Sequence, residues 1–360
     1  MKIVIRAGGA GTRLWPMSRQ NNPKQFQKII GDQTMVRSTY ERIKELLSSP
    51  NDLFISINKQ LVDKLKQEIA EIKNENIIIE TSTRNTGPAM CLEVCYLEKF
   101  CDSNEIVASL PSDDYISNPS AFRSLLQTSA EFLQTHPEYI ITPAVRPSRL
   151  DTGYTYMKIG DKLSENGHEA IYQVSDIDEK PNEERCQELI DSGVYYCHAG
   201  MYIWQLGTIS KLFQKIQPDM YKACSLAVGM MANQEWDKIK EIYGRLEKMS
   251  IESAITEKAD KVAMSVSDKV GWSDLGKWHI IKRILSKPKE NLTKGKVLVN
   301  QAKNNLIINT NDKKIIVINE IDDLVIIDTD NVLLVSSLDR SSEVKKCVEK
   351  LKKENKLEYL

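Results

Sequence analysis

The sequence has no surplus of charge of either sign: 49 Lys and Arg face 50 Asp and Glu, a net charge of −1 over 360 residues. That balance, spread along the chain, excludes the basic field that holds a nucleic-acid backbone or an anionic membrane surface. No apolar run reaches the roughly 18 residues that a membrane span requires, and Met1 leads into Lys-Ile-Val-Ile rather than an apolar leader. The expectation is a cytoplasmic protein with small-molecule partners. Its cysteines, at 91, 95, 101, 186, 197, 224 and 347, form neither CxxC pairs nor an even disulfide framework. Cys91 and Cys95 lie four apart in a helical pattern, which favours core packing over metal ligation, and all the cysteines are expected as free thiols.

What is present is alternation. Short apolar runs at Ile3–Ile5, Leu53–Ile57, Ile77–Glu80, Ile106–Leu110 and Tyr139–Pro143 read as strands, and helical periodicity over Val36–Leu47, Leu61–Ile72 and Ala89–Phe100 fills the gaps. That order predicts an α/β fold with a mainly parallel sheet covered by helices on both faces. Ligands in such sheets bind beyond the carboxyl ends of the strands, so the segments after Ile5, Glu80, Leu110 and Pro143 are where chemistry is expected. From about Asn291 the texture changes to short β-branched runs about nine residues apart, separated by Asn/Asp-rich turns. This spacing predicts a small β-solenoid, with a stack of two-sheet hairpins as the alternative, followed by a helical tail. The expected division is a catalytic domain over 1–288 and a C-terminal domain over 289–360.

The first strand runs into Gly8-Gly9-Ala10-Gly11-Thr12-Arg13-Leu14-Trp15-Pro16, glycine-rich enough for backbone N–H groups to close around phosphates. No Gly-Lys-Ser/Thr follows, and the glycines at 8, 9 and 11 do not spell GxGxxG, so phosphate-loop NTPase and dinucleotide readings lose weight. Arg13 within the loop and Lys24 beyond it supply two cations beside one anion cradle. Asp113 and Asp114 follow a strand, and Asp274 lies in Gly-Trp-Ser-Asp-Leu-Gly, where alone it could equally cap a turn.

The run GGAGTRLWPMSRQNNPKQF resembles the signature of the sugar-phosphate nucleotidyltransferases, specifically their mannose-1-phosphate guanylyltransferase branch. The likeness continues in order through Glu80…Arg84-Asn85-Thr86-Gly87-Pro88, Leu110-Pro111-Ser112-Asp113-Asp114, Glu179-Lys180-Pro181 and Gly271-Trp272-Ser273-Asp274-Leu275-Gly276. It implies a Rossmann-like nucleotidyltransferase domain followed by a left-handed β-helix-like domain. The implied reaction moves GMP from GTP to mannose 1-phosphate, giving GDP-mannose and pyrophosphate.

By that resemblance Gly8, Gly9, Gly11, Thr12 and Pro111 hold the nucleotide, Glu80 and Asn85 read guanine, and Arg13 and Lys24 stabilise charge at the reacting phosphorus. Asp113 and Asp274 share one Mg²⁺, the cofactor expected. Gly153, Tyr154, Glu179, Lys180, His198 and Gly200 take the sugar phosphate, and a homodimer is implied. The chain departs from the family pattern at Thr155, at Cys197-His198-Ala199-Gly200 and at Arg6. These departures keep heptose or fucose 1-phosphate open as acceptor. A non-catalytic sugar-nucleotide-binding subunit is the competing class, disfavoured by retention of Arg13, Lys24, Asp113 and Asp274. Many bacterial relatives carry a further cupin-type isomerase domain, and isomerase activity is not expected here.

Overall fold

The computed structural model describes residues 1–9, 11–147 and 149–360; Ala10, inside the glycine loop, lies outside the described residues. The chain forms two compact units that interleave in sequence. One comprises Met1–Gly8, Thr39–Ser112 and Ile116–Trp272; the other comprises Gly9–Ser38, Asp113–Tyr115 and Ser273–Leu360.

The first unit is built on a ten-stranded mixed sheet. Its strands are β1 (Lys2–Arg6), β2 (Leu53–Asn58), β3 (Ile77–Glu80) and β4 (Ile106–Pro111), joined further along the chain by six more. β5 (Asp114–Ile116) belongs elsewhere. The six are β6 (Ile140–Val145), β7 (Thr155–Asn166), β8 (Glu169–Glu179), β9 (Tyr195–His198), β10 (Tyr202–Gln205) and β11 (Val262–Val266). The run β3-β2-β1-β4 is parallel throughout, as strand-helix alternation dictates. Its strands are largely buried on both faces, which explains why apolar residues dominate them without a polar–apolar alternation.

The antiparallel part leaves no such mark in the periodicity. β10 is inserted antiparallel between β4 and β6, and β6, β9, β7, β8 and β11 close a ring of pairings, because β11 bonds to both β8 and β6. Met157, Tyr196 and Met264 pack together with Ala144 in one buried cluster of these strands. A larger core gathers on the helix Thr86–Leu97, which is apolar nearly all round and therefore buried, against Phe213, Cys224 and Tyr243 from later helices. All the cysteines are free thiols, with Cys91 and Cys95 inside this core.

In the second unit the glycine loop and the C-terminal strands share a core of Leu14, Trp15, Met35, Trp278, Leu306, Val325 and Val344. Trp15 is held at both ends: its indole N–H donates to the Tyr359 carbonyl at 2.7 Å, and its own carbonyl accepts from the Trp278 indole at 3.3 Å. β12 (Trp272–Asp274) forms a two-stranded sheet with β5. The C-terminal strands are β13 (Leu292–Lys294), β14 (Val297–Asn300), β15 (Leu306–Asn309), β16 (Ile316–Asn319), β17 (Leu324–Asp328) and β18 (Leu333–Ser337). Alternate strands pair in parallel, β13-β15-β17 in one sheet and β14-β16 in another, while β18 returns antiparallel on β17. Stacked side chains repeat across these pairs: Asn300 donates to Asn319 and Asn304 to Asp323, each 19 residues on. The spacing of about nine residues is thus half of a repeat that alternates between two sheets.

Candidate active site

The glycine loop wraps on Lys24. Gly11 has a left-handed backbone, φ 55°, and a β-carbon there would stand 2.6 Å from both Lys24 Cβ and Ser18 Oγ, so only glycine fits. Thr12 and Arg13 begin a short helical turn, Thr12–Leu14. Among the described residues Arg13 forms no ion pair, and it is half-buried.

Lys24 is 3% exposed at the start of a second short turn, Lys24–Phe26. Its ammonium lies 2.8 Å from Asp113 Oδ2 and 3.5 Å from Asp274 Oδ1. Burial alone would lower the lysine pKa, but the two carboxylates outweigh it and hold the pKa above its ordinary value. The sheet β5/β12 explains the convergence, since Asp113 immediately precedes one strand and Asp274 ends the other. Gly276 N–H donates to Asp274 Oδ1 at 2.6 Å, fixing that carboxylate.

This donor set suits a small divalent cation such as Mg²⁺, which takes one or two carboxylates and completes its shell with water and substrate phosphates. Two hard carboxylates already converge on one positive charge. Among the described residues no group of three or more His, Cys, Asp and Glu side chains forms a protein-only metal cage.

In the first unit Gly8 packs against the end of β3: a β-carbon there would stand 3.3 Å from Glu80 Oε2. Glu80 accepts from the Tyr243 hydroxyl at 3.0 Å, and burial pushes its pKa up to about 7. Asn85 caps the helix Thr86–Leu97, its side chain accepting from Thr86 N–H at 2.9 Å while its backbone sits at φ 68°, ψ −176°. For a residue other than glycine that conformation costs about 1–3 kcal/mol, the kind of strain that collects at binding sites. Pro111 ends β4 in register with Arg6.

Glu179 accepts from Ser250 Oγ at 3.1 Å, Ser253 Oγ at 2.6 Å and the Lys180 ammonium. Burial raises its pKa, but these donors overcome that and keep the carboxylate below its ordinary range. Lys180 adopts φ 51° and donates its backbone N–H to the Tyr154 carbonyl at 3.1 Å, which brings the 153–154 and 179–180 segments together. Gly153 N–H donates to Asp151 Oδ1 at 3.1 Å, and the Tyr154 ring meets Trp272 edge-on at 5.8 Å.

His198 uses both ring nitrogens within the protein: Nδ1 accepts from Gly200 N–H at 3.1 Å, and Nε2 donates to Glu252 Oε1 at 3.1 Å. Burial holds its pKa below the ordinary value despite Glu252, so the ring is neutral at pH 7. Tyr243, Ser250, Glu252 and Ser253 hold Glu80, Glu179 and His198 in place without standing out in the sequence. Ser250-Ile-Glu-Ser has the form of a helix N-cap, and Ser250 does cap Ile251–Ala254, but nothing local signals that the same serines reach Glu179.

The family described as nucleotidyl transferase matches residues 2–290. A mannose-1-phosphate guanylyltransferase of Salmonella muenchen is 32% identical over 362 residues, spanning 99% of this chain and 74% of the relative. One of Klebsiella pneumoniae is 31% identical over 361 residues, spanning 99% and 75%. A solved structure from Thermus thermophilus, described as mannose-1-phosphate geranyltransferase, superposes with TM-score 0.83 at 25% identity, covering 98% of this chain and 99% of that one.

Proposed function

The chain belongs to the nucleotidyl transferase family, as an enzyme similar to the mannose-1-phosphate guanylyltransferases, and on that premise we propose that it transfers GMP from GTP to α-D-mannose 1-phosphate. The observation that carries the reading is Lys24, buried between Asp113 and Asp274 and wrapped by the glycine loop.

A phosphate oxygen of the sugar phosphate attacks the α-phosphorus of GTP in line; the bond from that phosphorus to the bridging oxygen breaks, and pyrophosphate leaves with its electron pair. The nucleophile is already ionised at pH 7, so repulsion between polyanions is the barrier and no general base is required. Lys24 and Arg13 supply positive charge where negative charge gathers. Asp113 and Asp274 would hold Mg²⁺, which when bound supplies further neutralisation of the nucleotide phosphates. Lys24 keeps the two carboxylates oriented. Gly8, Gly9, Gly11, Thr12 and Pro111 take the nucleotide through the backbone. Glu80 accepts from the guanine N1–H and N2–H₂ donors, and Asn85 fixes the segment beside it. On the acceptor side Glu179 takes sugar hydroxyls from a geometry held by two serines, Lys180 pairs with the sugar phosphate, Gly153 and Tyr154 line the same segment, and the His198–Gly200 turn shapes it. We read the C-terminal stack as a short left-handed solenoid that serves homodimer assembly.

Crossing four NTPs against mannose, glucose, fucose and heptose 1-phosphates, with pyrophosphate release as readout, tests the reading. A maximum at GTP with mannose 1-phosphate is expected. A maximum at another sugar would reassign the acceptor pocket, and silence across the panel would overturn the activity.

A further inference from the structure

Arg6 ends β1, two residues before Gly8, a half-buried guanidinium directly after the buried apolar run Ile3–Ile5. Its backbone carbonyl accepts from Ser112 N–H at 3.0 Å, next to Asp113 in the chain. Its side chain reaches sideways across the sheet: Nη1 donates to Ser109 Oγ on β4 at 2.6 Å, and Nη2 donates to the Gly200 carbonyl in the turn joining β9 to β10. Ser109 in turn donates to Glu93 Oε2 at 2.6 Å, and both are 1% exposed.

Gly200 has φ 68°, a left-handed conformation that glycine alone adopts without strain, and each of its backbone polar groups is taken by a side chain. The N–H goes to His198 and the carbonyl receives Arg6. His198 is fastened to Glu252, which also accepts from the Tyr202 hydroxyl at 2.6 Å. Glu252 lies in the short helix Ile251–Ala254, flanked by the serines that hold Glu179. The turn is therefore clamped from two directions, by β1 through Arg6 and by this helix through Glu252.

Resting on the functional reading above, we propose that Arg6 is a positioning residue that fastens the His198–Gly200 turn to the end of β1 and so sets the affinity for the sugar 1-phosphate. It touches no substrate itself. The competing role is a counter-ion for the buried Glu93, whose carboxyl burial pushes up to about 7 while Arg6 and Ser109 pull it back. The two roles separate in a double variant. Arg6→Met alone leaves Glu93 without its cation and invites misfolding, whereas Arg6→Met with Glu93→Gln removes both charges. A counter-ion role leaves nothing to lose in that double variant; a clamp remains broken.

In R6M/E93Q the KM for mannose 1-phosphate is expected to rise by roughly tenfold, with the KM for GTP within about twofold of wild type. Amide hydrogen exchange over residues 198–201 should accelerate, and Arg6→Lys should recover part of both effects, because an ammonium cannot reproduce the guanidinium fork. A folded double variant with the wild-type KM for mannose 1-phosphate, or with both KM values raised together, overturns the clamp. Absence of turnover in the wild type would instead overturn the functional reading, and unchanged exchange at 198–201 in the double variant would overturn the clamp in that case too.

Discussion

Replacing Lys24 by methionine removes the ammonium that contacts both Asp113 and Asp274 while keeping most of the buried stem. Breaking a fully buried pair from one side costs about 3–5 kcal/mol, because it strands a charge away from water. Here the lysine side chain is 4% exposed but the Asp113 and Asp274 side chains retain 38% and 22% exposure, so water can solvate what remains. The stability loss is therefore expected near 1 kcal/mol, a fall in Tm of only about 1–2 °C for a chain of this length. Turnover should suffer far more, since removing one preorganised donor from a site of developing charge costs on the order of 10²–10³ in kcat. Pyrophosphate release at saturating substrates, beside a thermal melt, measures both quantities. A K24M protein that melts near wild type and retains kcat within about threefold would refute the role given to this lysine.

Glu80 carries a pH signature. Its folded pKa of about 7 exceeds the ordinary 4.5, so between those values the folded state holds a proton that the unfolded state has released, and its contribution to stability falls as pH rises. The deprotonated acceptor that guanine requires appears as pH rises through 7, so the KM for GTP should fall several-fold from pH 6 to 8 in wild type and stay flat in E80Q. Gly11→Ala meets atoms 2.6 Å away at a left-handed φ; a loss of about 2 kcal/mol or more in chemical denaturation is expected, with kcat reduced. Removing Ser250 and Ser253 hydroxyls together should raise the KM for the sugar phosphate about tenfold by releasing Glu179, while leaving the KM for GTP unchanged. Asp274→Ala should lower turnover by about 10² or more, and EDTA should abolish wild-type turnover until Mg²⁺ is restored.

Local pattern carried the parallel half of the sheet. Apolar strands such as Lys2–Arg6 and Ile106–Pro111, alternating with amphipathic helices, leave few arrangements open, and β1 through β4 adopt the expected one. The ring of β6, β9, β7, β8 and β11 was not legible, although Asn166-Gly167 marks a tight turn between β7 and β8; the bulges along that ribbon break its alternation of polar and apolar residues. Near-regular spacing revealed the C-terminal strands, but only the register showed that alternate strands are partners. At the site, glycines and charged motif residues stand out in the sequence, whereas the meeting of Lys24 with Asp113 and Asp274 spans 89 and 250 residues and leaves no periodic trace. The same holds for Arg6: a guanidinium at the end of a buried strand is visible as an anomaly, but its partner, the Gly200 carbonyl, is a backbone atom that no side-chain pattern encodes.

The central claim is direct transfer of GMP onto an intact sugar phosphate. Mannose 1-phosphate labelled with ¹⁸O at its non-bridging phosphate oxygens, incubated with GTP and Mg²⁺, tests it by mass spectrometry of every product. The account predicts that all the label appears in GDP-mannose and that unlabelled pyrophosphate forms in equal amount. Label in orthophosphate or pyrophosphate, or pyrophosphate without GDP-mannose, would contradict it.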